Sequence, residues 1–475
     1  MGTMTGAADQ WDVLQGAIDG RVVLPGSPDY ESARKPEMVH FQDVRPVAVV
    51  LCGSSADVSS TIAHARRHRL ELAIRSGGHC VAGRSSTEGL VLDVTPMDAV
   101  SVQDDVMTVG AGVRLGHLYD VLHGHGRTIP AGGSHSVGIA GLTLGGGIGI
   151  LGRKYGLTCD HLLRAQVVMA DTRVLECDQH DNDDLFWALR GAGSGNFGVV
   201  TSLVFSTVPA PAATVFHLVW PLDRASQVIQ AWQEWAPTAP DGLDAALRLS
   251  ATGDGEWPPV ADLFGAVVGD DADPARLLDE IVARAGVDPI SASRRHVSYR
   301  EATRYLDGLG PVDEWGEEPS PPPPPAVRHL FTKSEFFRRS LPRATTGALA
   351  DNLLHGLAPG QSREVAFLPW GGAYNRVDAD ATAFVHRDEL FIVQHLVSLD
   401  VAGDATQIGP ARDWLKRSWT IVHPWGSGGV YPNFPDPDLQ DWAHAYYGDS
   451  YERLLHVKAK YDPDGFLRSP QSLST

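Results

Sequence analysis

Cysteine is scarce: Cys52, Cys80, Cys159 and Cys177 are the only four in 475 residues, with no CxxC pair and no metal-like spacing to the histidines. That scatter argues against a disulfide scaffold or a bound metal and reads as free thiols. Positive charge is also short. The 39 basic residues against 58 acidic ones leave a formal charge of -19, a field that repels phosphate backbones and anionic lipid head groups. Neither nucleic acid nor a membrane surface is expected as a partner. No run of about 18 uninterrupted apolar residues occurs, which argues against a membrane-spanning helix. The opening "MGTMTGAADQWDVLQGAIDG" has no basic segment followed by an apolar one, so no secretory signal is read and a cytoplasmic protein is expected. What is present is a globular composition: 43% hydrophobic and 20% charged residues with 12 Trp, far from the disordered regime and long enough for two or three domains.

Residues 44–210 alternate short apolar runs with helical spacing, punctuated by glycine. "VAVVLC" (47–52), "LAI" (72–74), "GLVLDV" (89–94), "VMTVGAG" (106–112), "AQVVMA" (165–170) and "GVVTSLVF" (198–205) read as strands, and "DVSSTIAHARRHRL" (57–70) and "LGHLYDVLHGHG" (115–126) as helices. From about 213 the elements lengthen. "TVFHLVW" (214–220) alternates as a half-buried strand should, "ASQVIQAWQEWA" (225–236) is amphipathic, and "DAALRLSA", "ADLFGAVVG", "REVAFLPWGGAYNRV" (363–377) and "ELFIVQHLVSL" (389–399) read as further strands. "EEPSPPPPPAVRH" (317–329) reads as an exposed, stiff polyproline-like loop. The expected domains are 1–212, with its core at 42–211, a second domain over 213–428, and a C-terminal segment at 429–475.

Glycine clusters at 77–78, 132–133, 145–147 and 191–195 all fall in the first domain. Without Cβ atoms, such segments let backbone amides approach something large and anionic or flat, so a cofactor cradle is favoured over a set of tight turns. Gly147-Ile-Gly149-Ile-Leu-Gly152 matches the dinucleotide fingerprint GxGxxG, and so does Gly193-Ser-Gly195-Asn-Phe-Gly198. Gly147, however, follows a stretch rich in Gly, Ser, Ala and Thr, and not a buried strand at the start of its domain, which argues against a Rossmann site.

In order along the chain, "RSGGHCVAG", "PAGGSHSVGIAGLTLGGGIGILGRKYGL", "DLFWALRGAGSGNFGVVT", "GGAYNRV", "GGVYPNF" and "KAKYDPDGFLRSPQS" resemble the berberine-bridge-enzyme-like branch of the FAD-linked oxidases, in the vanillyl-alcohol oxidase or PCMH-type superfamily. The resemblance implies an α+β, two-domain PCMH-type FAD-binding fold with an α/β substrate domain, an antiparallel sheet flanked by helices. It implies that His79 bonds covalently to the flavin 8α-methyl. A second tether in many members is a cysteine in "GxCPTVGxGGH". Here Ser134 stands at that position and Leu142 at the histidine, so a single histidyl link is expected. Cys80 is read as a small buried filler. By motif, Arg75, Ser76, Gly77 and Gly78 would wrap the pyrophosphate with His79. Gly132, Gly133, Ser134, Val137, Gly138, Gly145, Gly146, Gly149, Tyr155 and Gly156 would run along the FAD. Gly198 and Val200 would lie at the adenine side, and Tyr431 and Asn433, the "YxN" pair, beside the isoalloxazine, with 429–475 returning to the first domain. No metal is expected.

The implied chemistry is removal of a hydride from an organic substrate to flavin N5 and reoxidation by O2 to H2O2. It needs a group to take the substrate's proton. Tyr431 is the first candidate, but a phenol with an ordinary pKa near 10 needs a cation or a second tyrosine to act as a base, and Tyr155 is the candidate partner. Gln394 falls where some members carry a catalytic carboxylate, and an amide cannot abstract a proton. With Ile392 and Leu396 on its face, the substrate is expected to be largely apolar, as in bacterial members that tailor antibiotics and other secondary metabolites. A carbohydrate oxidase of the same family and a non-catalytic flavin-loaded binder are the alternatives. A monomer or homodimer is expected. Pro470 replaces the asparagine of the family's "FRxNQSI" tail, which puts the tail's anchoring in doubt.

Overall fold

The helix read after residue 56 runs over Ser55–His68, and it begins there because the Ser54 hydroxyl accepts the Asp57 amide. It connects two strands of a four-stranded sheet ordered Arg21–Val23, Ala48–Leu51, Leu90–Asp93, Leu72–Arg75, whose last three strands are parallel. A five-stranded antiparallel sheet follows, ordered Val100–Gln103, Val106–Gly110, Gly198–Ser206, Leu162–Met169, Val174–Asp178. This is a computed structural model describing residues 5–255, 257–269, 272–307, 328–400 and 405–474; residues 317–327 of the proline-rich loop lie outside the described residues. Among the described residues, no helix is long and apolar enough to cross a membrane.

A seven-stranded antiparallel sheet forms the second layer, in the order Ser291–Ser298, Ala212–Pro221, Val260–Val268, Leu243–Thr252, Gln361–Pro369, Phe391–Asp400, Arg328–Phe337. Its two faces differ. Leu247, Val365, Phe367, Val393 and Val397 point into an apolar core shared with the helices Ala225–Trp235, Arg343–Leu354 and Ile408–Val422. The alternate residues Arg248, Ser250, Glu364, Leu368, Gln394 and Leu396 are only half-buried. At one end of that face Val215 and Ala266 join the core of the first domain, so the sheet leans on it there and stays partly open elsewhere.

The strand read through residue 377 stops at Pro369. Gly371 and Gly372, at φ +91° and +57°, turn the chain into a short helical turn at Gly372–Asn375. The C-terminal segment packs Val430, Tyr446, Tyr447, Leu454, Val457, Tyr461 and Leu473 into the first core. Despite Pro470, the tail is tied down elsewhere. Lys458 Nζ, buried, donates to Asn196 O, Leu467 O and Asp462, and Gln471 Nε2 donates to Asp436 O.

Candidate functional site

The strand Leu72–Arg75 delivers the loop that carries His79. The Arg75 guanidinium donates to the carbonyls of Ser85, Ala33 and Arg34, which ties the loop to its neighbours. Ser76 Oγ donates to Ala111 O at 2.7 Å. A Cβ on Gly77 would lie 2.2 Å from Gly138 N, and one on Gly138 would lie 2.4 Å from Gly77 N, so the two loops touch backbone to backbone and neither position admits a side chain. Gly78 takes φ +73°, and a cavity of about 370 Å³ opens beside Arg75, Ser76, Gly77 and Gly78.

His79 itself is half-buried, and its Nε2 is buried without a hydrogen-bond partner. Burial, opposed by the nearby Glu37 carboxylate, holds the imidazole below its usual pKa and so neutral, with a lone pair available for bonding. Cys80 is half-buried where a buried filler was expected, and lines a small cavity with Arg84, Ser194 and Arg468. The glycine-rich segment runs past the same histidine. Ser134 is exposed, with its carbonyl accepting Val137 N, and Gly133 has nothing within 4 Å of where its Cβ would be. Gly132 O accepts the Tyr119 hydroxyl. On Gly149 a Cβ would strike Ala131 O, and Gly156 turns at φ +99°. Gly198 and the buried Val200 lie on a strand of the five-stranded sheet, where a Cβ on Gly198 would meet Val167.

At the other end of the segment stands Tyr431, 2% exposed. Its hydroxyl accepts Gly147 N at 2.9 Å and Asn433 Nδ2 at 3.0 Å, while the same amide also donates to Leu142 O at 2.8 Å. The side chain of Asn433 occupies the space beside Gly145, where a Cβ would sit 2.1 Å from Oδ1; beside Gly146, a Cβ would sit 3.0 Å from the Phe384 ring. Burial raises the Tyr431 phenol well above its ordinary range, and the donors from Asn433 and Gly147 only partly offset it. A phenol so placed keeps its proton. The second tyrosine bearing on it is Tyr374, whose hydroxyl bonds Gly149 and whose ring stacks on Trp370 at 4.2 Å. Tyr155, the expected partner, instead packs toward the first core and receives the His161 ring on its carbonyl.

Phe336, Trp370, Phe384 and Ile392 close an apolar wall over Tyr431. Gln394 lies one step further out on the same face of its strand as Ile392, and its amide donates to Thr332 Oγ1 at 3.2 Å. Behind the wall, Arg387 is locked to Asp160 at 2.6 and 2.9 Å with its guanidinium over Phe384. Sequence reasoning singled out neither Tyr374 nor Phe384 nor this ion pair. The quoted "GGAYNRV" contained Tyr374, and the two glycines that end the strand were the available signal.

The residues fit a flavin. The cradle has open space at Gly133, Gly141, Gly193 and Gly195, an unpartnered buried imidazole nitrogen at one end and a proton-holding phenol at the other. This is a cofactor-dependent redox site, and comparison with known proteins makes the class specific. A profile for an FAD binding domain matches residues 46–178, and one described as "Berberine and berberine like" matches 430–474. The FAD-linked oxidoreductase YvdP of Bacillus subtilis is 34% identical, covering 96% of this chain and 98% of its own. A chitooligosaccharide oxidase of Gibberella zeae is 29% identical over 90% of this chain and 87% of its own. The solved structure of BBE-like 1 from Physcomitrella patens superposes with a TM-score of 0.86 at 26% identity, over 98% of this chain and 99% of that one. The chain is thus an FAD-linked oxidoreductase. It belongs to the berberine-bridge-enzyme-like family, with that family's α+β PCMH-type fold.

Proposed function

We propose that this protein is an oxidase that carries its FAD on a single covalent link from His79 and dehydrogenates a natural product whose reacting end is apolar. The observation that carries it is the buried, unpartnered Nε2 of a neutral His79. Ser134, exposed and without sulfur, offers no second tether. When bound, the flavin supplies two-electron chemistry, accepting a hydride from a substrate carbon and yielding H2O2 with O2. The protein's part is to position and to dry. Leu368, half-buried against the closed wall of Phe336 and Ile392, gives the reacting carbon an apolar seat, and Tyr431, keeping its proton, serves as a donor. Neither Tyr431 nor the Gln394 amide takes the substrate's proton, so the substrate is one acidic enough, as a phenol is, to give that proton to water before the hydride leaves.

Acid precipitation tests the link. The yellow colour stays with the wild-type pellet and leaves it in His79→Ala; colour in the wild-type supernatant, or retained by the variant's pellet, refutes it. Photoreduction followed by air tests the oxidase. Recolouring within seconds with release of H2O2 is expected, and a flavin that stays reduced for minutes overturns the reading.

A further inference from the structure

The first domain reaches the edge of the seven-stranded sheet through a short turn. Met38 N donates to Gly78 O at 3.4 Å, and a Cβ on Gly78 would lie 3.1 Å from Glu37 N, so the chain entering the turn rests on the loop that carries His79. The turn itself, Val39–Phe41, packs against the strand Arg328–Phe337. There His40 Nδ1 stands 3.4 Å from His329 Nδ1. The two histidines are 289 residues apart, so no spacing in the sequence could announce them as a pair.

A hydrogen bond explains this approach poorly, because it is longer than the usual range of about 2.7–3.2 Å for an N–H donor. It matches instead the separation of about 3.3–3.4 Å that two nitrogens take on one tetrahedral ion with bonds of about 2.0–2.1 Å. The ring centroids are 5.5 Å apart, far enough that the two Nδ1 atoms are the facing corners of their rings, and the planes cross at 81° in place of stacking. Phe41 and Phe331 flank the His40 ring at 4.9 and 5.1 Å and hold it in position. His40 is exposed and His329 half-buried, so an ion with its waters can enter. Burial, with the charges of His329 and Arg412, lowers the His40 pKa, which keeps the ring neutral at pH 7 with a nitrogen lone pair to offer. Arg412 would repel a cation, but both oxygens of Asp438 hold it at 3.0 Å and offset its charge.

We propose that His40 and His329 form a two-histidine site for a late first-row divalent cation such as Zn2+, which staples the first domain to the edge of the second domain's sheet. Imidazole favours such ions over Mg2+, which prefers oxygen ligands. Among the described residues no group of three or more His, Cys, Asp or Glu could hold a metal, so water fills the remaining positions and the ion is exchangeable. Bound, it fixes the turn that follows the chain resting on Gly78, and so ties the loop bearing His79 to the second domain.

Titration calorimetry with ZnCl2 and MgCl2 on the untagged, flavin-loaded protein at neutral pH tests the site. The variants are His40→Gln and His329→Gln, with His68→Gln as the control, since its exposed ring neighbours His64 on the helix Ser55–His68. Neither His40 nor His329 is fully buried, so both variants can fold. A single Zn2+ per chain is expected at the site, with no uptake of Mg2+. Each of the two variants should weaken Zn2+ binding at least about tenfold, because a chelate is lost, and His68→Gln should leave it unchanged. Thermal unfolding is the second readout: Zn2+ should raise the wild-type midpoint in step with its concentration and leave that of either variant in place. Failure of the wild type to bind Zn2+, or a loss of only about twofold in each variant, as for independent histidines, would overturn the site. So would a loss in His68→Gln in place of the pair, or variants whose midpoint still rises with Zn2+.

Discussion

Gly145→Ala isolates the contact that joins the C-terminal segment to the glycine-rich cradle. The backbone at Gly145, φ -100° and ψ 10°, suits alanine, so the change introduces no torsional strain. The new methyl would sit 2.1 Å from Asn433 Oδ1 and 2.5 Å from its Cγ, which forces that amide out of place. Asn433 then loses its bonds to Leu142 O and to the Tyr431 hydroxyl, each worth about 1 kcal/mol net. Removing a glycine from the unfolded chain returns roughly 0.4–1 kcal/mol. The balance is a loss of about 1–2 kcal/mol, read as a lower urea midpoint at unchanged slope. A double-mutant cycle supplies the control. In an Asn433→Ala background nothing opposes the methyl, and Gly145→Ala should be neutral or slightly stabilising. Equal costs in the two backgrounds would refute the reasoning, because the penalty would then not pass through Asn433.

Arg387→Met leaves Asp160 without its cation in a nearly closed site; a loss of about 3–5 kcal/mol is expected, and retention of the wild-type urea midpoint would count against it. Lys458→Met removes three short donations from a side chain 1% exposed, and faster cleavage of the C-terminal tail by trypsin is expected, with an unchanged cleavage rate as the adverse result. His395 is fully buried, and burial lowers its pKa to about 3, so it stays neutral in the folded state while the unfolded chain charges below about 6.5. That stability is intact above pH 6.5 and is lost as pH falls toward 3, by about 1.4 kcal/mol per pH unit. His395→Gln should flatten the acid limb by that amount, and an unchanged slope would exclude the residue. For Tyr431, a wild-type minus Tyr431→Phe difference titration should stay flat in the phenolate band up to about pH 10. A phenolate near neutrality would restore it as a base.

Some strands were legible because one face alternates against an apolar layer. In Phe391–Asp400, Val393, Val397 and Leu399 face the helices, and the pattern survives in the sequence. Two strands of the same sheet were not read. Ser291–Ser298 is an edge strand with six exposed residues in a row, so no apolar period marks it. Arg328–Phe337 sets Lys333 and Glu335 on the helix-facing side, satisfied by Asp436 and His423, and a charge satisfied by a distant partner is indistinguishable in sequence from a solvated one.

The same asymmetry separates what was visible at the site. Glycine declares a backbone need locally, so Gly77 and Gly138 stood out in their motifs as cofactor positions, but that each meets the other's backbone was not legible there. The state of Tyr431 could not, because it depends on burial by Phe384 and Ile392 and on an amide that also serves Leu142. A phenol flanked by donors is expected to ionise more easily, yet burial acts in the opposite direction and is the larger effect. Position therefore decides function here. A tyrosine suggested as a base by its motif is, once the wall closes over it, a phenol that holds its proton.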